Sequence, residues 1–250
     1  MVKAVMLAAG VGRRLGSIGV RPKCLLEFGG STLLERHIAI LRGVGVGELV
    51  LAIGFQAERI ESLVARIAGD MIVTTVLNPA YEQGSMVSLW AVRDHLDSSV
   101  LLMDADVLYD ERIMHRLCTS AHRNVLLLDR ELEPGDEPVK ICLRGGRFVE
   151  FRKKVDVEFD LCGESVGFFR FAPEVARRLA AATDRYVGAG AVFEPYEEAI
   201  RDVLLANPQE FGYEDVTGLP WIEIDFPDDV RKARDEILPR LQIGELKRHG

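Results

Sequence analysis

The chain has 250 residues, 48% apolar and 28% charged, enough to bury a sizeable core within the range of one large α/β domain. A formal charge of −8 gives no field that would gather a nucleic-acid backbone or an anionic membrane surface, so neither is expected as a partner. Four widely spaced cysteines, Cys24, Cys118, Cys142 and Cys162, contain no CxxC pair, suggest neither a disulfide framework nor a zinc site, and fit a reducing compartment.

The elements follow in chain order. Residues 3–9 are a continuous apolar run bounded by glycine, the pattern of a central strand covered on both faces. The run from residue 2 is too short for a signal-peptide core, no stretch approaches a membrane span, and a cytoplasmic location is expected. Ser31-Thr32-Leu33-Leu34-Glu35 carries a cap signal and opens a helix that stops near Gly43. Residues 49–53 read as a strand, 57–67 as a helix with Ile60, Leu63, Val64 and Ile67 on one face, 71–76 as a strand and 86–96 as a helix. The strand at 100–103 ends in Asp104-Ala105-Asp106. A helix at 111–118 and a strand at 125–128 follow.

From 138 to 171 the rhythm changes to strand-like pieces at 139–143, 148–151 and 165–171, with a hairpin at Arg144-Gly145-Gly146-Arg147. This reads as a small mixed-sheet excursion or lid. Helices at 173–182 and 195–206, a strand at 221–225 and a closing helix at 227–238 complete the pattern, with a frayed tail over 240–250. No linker or repeat divides the chain. The expected fold is α/β, a Rossmann-like three-layer α/β/α arrangement with a mostly parallel central sheet, in a single domain over 1–250.

Chemistry concentrates after the first strand. Gly10 and Gly12 let backbone amides approach a polyphosphate closely, and Arg14 and Lys23 add positive charge for a pyrophosphate leaving group. A dinucleotide-binding loop would want glycine where Leu15 stands, which leaves an NAD-dependent dehydrogenase a distant reading; a P-loop would want glycine before Lys23 and a hydroxyl after it.

Leu7-Ala8-Ala9-Gly10-Val11-Gly12-Arg13-Arg14-Leu15 with Pro22-Lys23-Cys24-Leu25 resembles the signature of nucleotidyltransferases that activate sugar 1-phosphates and related compounds. Asn78-Pro79, the segment from Ser85 to Leu89, Asp104-Ala105-Asp106, Gly163-Glu164-Ser165-Val166-Gly167, Tyr196-Glu197-Glu198-Ala199 and Trp221-Ile222-Glu223-Ile224-Asp225 are similar to the small cytidylyltransferases acting on phosphocholine or 2-aminoethylphosphonate. The resemblance extends to about Leu238. It implies CTP and a small phosphate or phosphonate acceptor as substrates, Mg²⁺ as cofactor, and in-line attack on the α-phosphorus with loss of pyrophosphate. Arg14 and Lys23 would be catalytic, with nucleotide contacts near Leu7, Ala8, Ala9, Gly10, Gly12, Ser85, Ser88 and Asp104.

Asp106 and Asp225, each after an apolar strand, are the expected Mg²⁺ ligands, and Asp225 alternatively reads as the cap of the last helix. Lys140 and Lys153 are candidates for the acceptor's phosphate and Glu164, Glu194 and Glu197 for an amine on it, with Tyr196 a further acceptor-side candidate. Trp90, Tyr186, Phe193, Tyr196 and Trp221 are available for an aromatic cage around a choline head group. A sugar-1-phosphate nucleotidyltransferase using UTP, GTP or dTTP, and an inactive regulatory nucleotide-binding domain, remain open, as does a homodimer.

Overall fold

The structure, a computed structural model, describes residues 2–132 and 138–242. Its first half runs β1 (Lys3–Ala8), a loop of two 3₁₀ segments (Arg13–Val20 and Lys23–Leu25), the short pair β2 (Glu27–Phe28) and β3 (Ser31–Thr32), α1 (Leu33–Gly43), β4 (Glu48–Ile53), α2 (Ala57–Ile67), β5 (Ile72–Leu77), α3 (Ser85–Ala91), β6 (Val100–Asp104), β7 (Val107–Tyr109), α4 (Glu111–Thr119) and β8 (Val125–Asp129). The second half adds β9 (Lys140–Arg144), β10 (Arg147–Arg152), β11 (Leu161–Phe171), α5 (Pro173–Gly188), α6 (Glu197–Ala206), β12 (Gly212–Asp215), β13 (Trp221–Glu223) and α7 (Pro227–Lys232).

Strand β1 is central because it is apolar on both faces. It pairs in parallel with β4 and β6, and β5 extends the parallel set beyond β4. Alternation then sends its side chains to two cores. Ala4, Met6 and Ala8 meet Leu34, Ile38 and Leu41 of α1, Ile60 and Leu63 of α2, and Ile113 and Leu117 of α4. Val5 meets Met86 and Leu89 of α3, Val175 and Leu179 of α5, and Ile200 and Leu204 of α6. These are the three layers expected. The excursion at 138–171 is the antiparallel side of the same sheet, where β11 pairs with β6, β8 and β9, and β10 closes the edge on β9.

Local signals act as read. Thr32 Oγ1 accepts from Glu35 N–H (3.1 Å) while the Glu35 carboxylate accepts from Thr32 N–H (2.7 Å), a reciprocal cap that starts α1. Other elements differ. The helix at 86–96 ends at Ala91 and continues as a 3₁₀ turn over Arg93–His95. Strand β13 does not join the main sheet but pairs antiparallel with β7, so Asp225 stands beyond a two-stranded ribbon rather than at the edge of a neighbouring sheet strand. The tail expected to fray from 240 is held at its start, because Gln242 N–H donates to Asp110 Oδ2 at 2.7 Å; residues 243–250 lie outside the described residues. Among the described residues no helix is long and apolar enough to cross a membrane.

A third, smaller core decides the geometry of the loop. Leu15, Leu26, Phe28 and Leu33 pack with Leu108 of β7, Ile224 and Val230, clamping the segment after β1 against the segment that ends in Asp225. Cys142 and Cys162, opposite each other on β9 and β11, bring their Sγ atoms to 3.0 Å as free thiols.

His37, on α1, is fully buried between the rings of Tyr109 and Phe168. Burial lowers its pKa from 6.5 to about 4; the Ala105 backbone offsets this only in part, and neither ring nitrogen has a well-formed hydrogen bond. The unfolded chain therefore binds this proton more readily than the folded one. Stability contributed by the neutral ring is complete above pH 6.5 and is lost as pH falls towards 4, by up to ~3 kcal/mol. Urea unfolding of the parent and of His37→Phe across this window checks the expectation: the slope should be shallower in the variant.

Candidate active site

The site begins where β1 stops. Leu7 and Ala8 are paired into the sheet with β4, Ala9 O still accepts Phe55 N–H at 3.1 Å, and the loop proper begins at Gly10. Gly12 adopts a left-handed conformation (φ 66°) and starts a 3₁₀ turn, with Leu15 N–H donating to Gly12 O (3.0 Å). A Cβ at residue 12 would lie 3.1 Å from Lys23 Cγ, so the glycine serves both the turn and the passage of the lysine stem. Pro22 starts a second turn that aims Lys23 inward, closed by Leu25 N–H to Pro22 O (2.9 Å).

Lys23 Nζ donates to Asp106 Oδ2 at 2.9 Å and also to Asp225 Oδ1. Arg14 reaches the same Asp225 carboxylate at 3.5 Å and lies over the Phe226 ring. All four residues expected at the reacting centre are thus together. Burial disfavours the Lys23 ammonium, but Asp106 and then Asp225 outweigh it, and its pKa stands above the usual lysine value. The two aspartates are tied by backbone as well, since Ile224 N–H donates to Asp106 O at 3.0 Å.

Asp225 is not the helix cap that its position before Phe226-Pro227 suggested. Asp229 Oδ2 accepts the backbone N–H groups of Asp225 (2.9 Å) and Phe226 (2.7 Å), which leaves the Asp225 carboxylate to face Lys23. Glu223, which sequence reading passed over, completes an acidic triad: Asp106, Glu223 and Asp225 each offer an oxygen within 4.8 Å of the others. Burial and then the neighbouring Asp106 and Asp225 push the Glu223 pKa well up. The signal was present, because residues 221, 223 and 225 share one face of an extended segment.

Asp104 lies apart from this triad. Tyr196 Oη donates to its Oδ2 at 2.7 Å, and Tyr196 N–H donates to Ser85 Oγ at 3.0 Å, so one buried tyrosine joins the start of α3 to the acidic loop. Gly167 (φ 78°) lies at the bulge between β11 and β8, and a Cβ there would run into Asp104 Oδ2. Gly167→Ala is accordingly expected to destabilise the fold by ~2–4 kcal/mol, as a drop in the urea midpoint. Ser88 is buried and accepts from Asn78 Nδ2 at 3.1 Å, while Asn78 Oδ1 accepts Ala80 N–H at 2.9 Å, so Asn78 fixes the turn ahead of α3.

Beyond the triad, a cavity of about 390 Å³ opens between β11, β13 and α7. Lys153, Glu164 and Glu197 line it with Trp221, Glu223 and Asp225. Two acceptor candidates are elsewhere: Lys140 Nζ donates to Lys153 O (2.8 Å), and Tyr196 is buried on Asp104. Glu194 is not in its wall either. The aromatic residues do not form a cage around this cavity. Trp90 donates to Asp184 (2.9 Å) under Arg93, Tyr186 to Asp202 (3.2 Å), and Phe193 stands 76% exposed; of the five, Trp221 alone reaches the wall, with its indole N–H on Asp129 (2.7 Å).

The sequence profile of the MobA-like NTP transferase domain matches residues 4–157. The CMP-5'-(3-aminopropyl)phosphonate synthase of Streptomyces rubellomurinus is 31% identical over 93% of this chain and 38% of its own length. A bifunctional IPC transferase and DIPP synthase of Rubrobacter xylanophilus is 31% identical over 95% of this chain and 52% of its own. The chain therefore spans about half or less of these relatives. In structure it is similar to the CTP:phosphocholine cytidylyltransferase of Streptococcus pneumoniae, with a TM-score of 0.72 at 21% identity over 92% of this chain and 96% of that one, a likeness that establishes the fold.

Proposed function

The chain belongs to the MobA-like NTP transferase domain family, and from that premise we propose that it is a cytidylyltransferase coupling CTP to a small phosphorylated alcohol or phosphonate, with release of pyrophosphate. The observation that carries this reading is Lys23, threaded past Gly12 and held between Asp106 and Asp225. It puts a fixed cation where the nucleotide loop meets a carboxylate cluster.

The triphosphate lies along the Ala9–Gly12 backbone, whose amides supply donors without side-chain bulk. Arg14 and Lys23 meet the phosphates from the positions that the aspartates give them and stabilise the charge that builds on the leaving pyrophosphate. The residues fit a hard divalent cation: three carboxylates converge within 4.8 Å, and the lysine ammonium already balances two of them. Asp106 and Asp225, with Glu223, would hold Mg²⁺, which supplies charge neutralisation at the reacting phosphates. The acceptor's ionised oxygen is itself the nucleophile, so the chain needs no general base, and its task is to align that oxygen with the α-phosphorus. The cavity beside Glu223 and Asp225 is the acceptor's place.

The relatives support the nucleotide and the acceptor class by name: one makes a CMP-linked aminopropylphosphonate, and the fold neighbour uses CTP and phosphocholine. Pyrophosphate release should be measured with CTP, UTP, GTP and dTTP, each against 2-aminoethylphosphonate, phosphocholine, inositol 1-phosphate and hexose 1-phosphates. Release with CTP and a non-hexose acceptor is expected. Turnover confined to a hexose phosphate, or none at all, would sink the proposal.

A further inference from the structure

The acceptor cavity is acidic, yet most of its carboxylates are already engaged. Asp129 accepts from the Trp221 indole (2.7 Å) and from Glu131 N–H (2.9 Å), Asp229 caps the last helix, and Glu223 and Asp225 belong to the triad at the reacting end. Glu197 differs. It opens α6, where its side chain turns into the cavity wall, and its Oε2 is sealed from solvent with no hydrogen-bond partner among the described residues. An unpaired, desolvated carboxylate oxygen is costly unless a donor reaches it.

From this orphaned oxygen we propose that Glu197 binds a primary ammonium group on the acceptor, making the substrate a short aminoalkyl phosphate or phosphonate; the inference rests on the transferase reading above. An N–H donor is what Oε2 lacks. A trimethylammonium group has none and needs a box of aromatic faces instead. Among the described residues no such box is built in this wall: Trp221 is tied to Asp129 and Phe226 lies under Arg14. Burial, its largest influence, raises the Glu197 carboxyl to about 7, and its own backbone N–H and then the nearby Lys153 counter this only in part, which leaves Oε2 without a donor for an arriving ammonium to replace.

The test compares kcat/KM for 2-aminoethylphosphonate and 3-aminopropylphosphonate with that for ethylphosphonate, which lacks the amine, and for phosphocholine, all at saturating CTP. The amino acceptors should lead by roughly 10²-fold, since a site built to pair a polar group discriminates strongly against its absence. Glu197→Gln should collapse that ratio to within about threefold through KM. The ratio does not depend on how much of the variant is folded, so lost stability cannot mimic the result. Parity of ethylphosphonate in the parent, preference for phosphocholine, or an intact ratio in Glu197→Gln would each overturn the assignment while leaving the transferase standing. No release with any acceptor would defeat both.

Discussion

Lys23→Ala is expected to lower kcat for pyrophosphate release by about 10³-fold, the scale on which removal of one preorganised charge at a reacting centre is felt. The side chain is positioned before substrate arrives, with its stem against Gly12 and its ammonium on Asp106 and Asp225. The protein therefore has no need to recruit a charge during the reaction. The variant also leaves Asp106, Glu223 and Asp225 facing one another without their cation, in a part-buried setting where like charges repel. Its melting temperature should fall without a divalent ion and recover with millimolar Mg²⁺ by more than that of the parent. Calorimetry with and without Mg²⁺, beside initial rates at saturating CTP, reads both effects. A rate within tenfold of the parent would show that the lysine does not serve the phosphates. Because the two aspartates hold its pKa above the ordinary lysine value, Lys23 remains charged through the neutral range and contributes no pH step there.

Much of this architecture is local enough to be written in the chain. The helix read at 57–67 coincides with α2, the Thr32–Glu35 cap forms, and the turn at Gly145-Gly146 joins β9 to β10. Each depends on residues within a few positions of one another, where periodicity and turn chemistry act. What periodicity cannot encode is which strand a segment pairs with. The segment 221–225 reads as a strand and forms one over Trp221–Glu223, but its partner is β7, three residues that sequence reading missed because so short a run carries no period. Strand β12 (Gly212–Asp215), Gly-Tyr-Glu-Asp, lacks an apolar alternation and is held by parallel pairing to β8.

The site divides along the same line. Glycines, Arg14 and Lys23 lie within one loop, and their chemistry announces itself there. The Lys23 contacts with Asp106 and Asp225 span 83 and 202 residues and rest on the small core of Leu15, Leu26 and Ile224. Nothing in the sequence ranks Glu197 above Glu164 and Glu194, the other candidates for an amine. Only its burial and its missing partner do so, whereas Glu198 is paired with Arg152 (2.6 Å).

Asp225→Asn is expected to reduce kcat by about 10³-fold or more and to weaken Mg²⁺ activation in parallel. The substitution is nearly isosteric, and the cap that starts the last helix uses the backbone N–H of residue 225, so the fold should survive. What it removes is a charge shared by Lys23, Arg14 and the proposed Mg²⁺ position. Asp106→Asn removes the other carboxylate on Lys23 and should cost a similar factor. If the two hold one ion, the double variant will be scarcely slower than either single one, because the ion is already lost in each. Mg²⁺ titrations of the rate in all three variants test this. Losses that multiply would place the aspartates in separate tasks, one on the cation and the other only on Lys23.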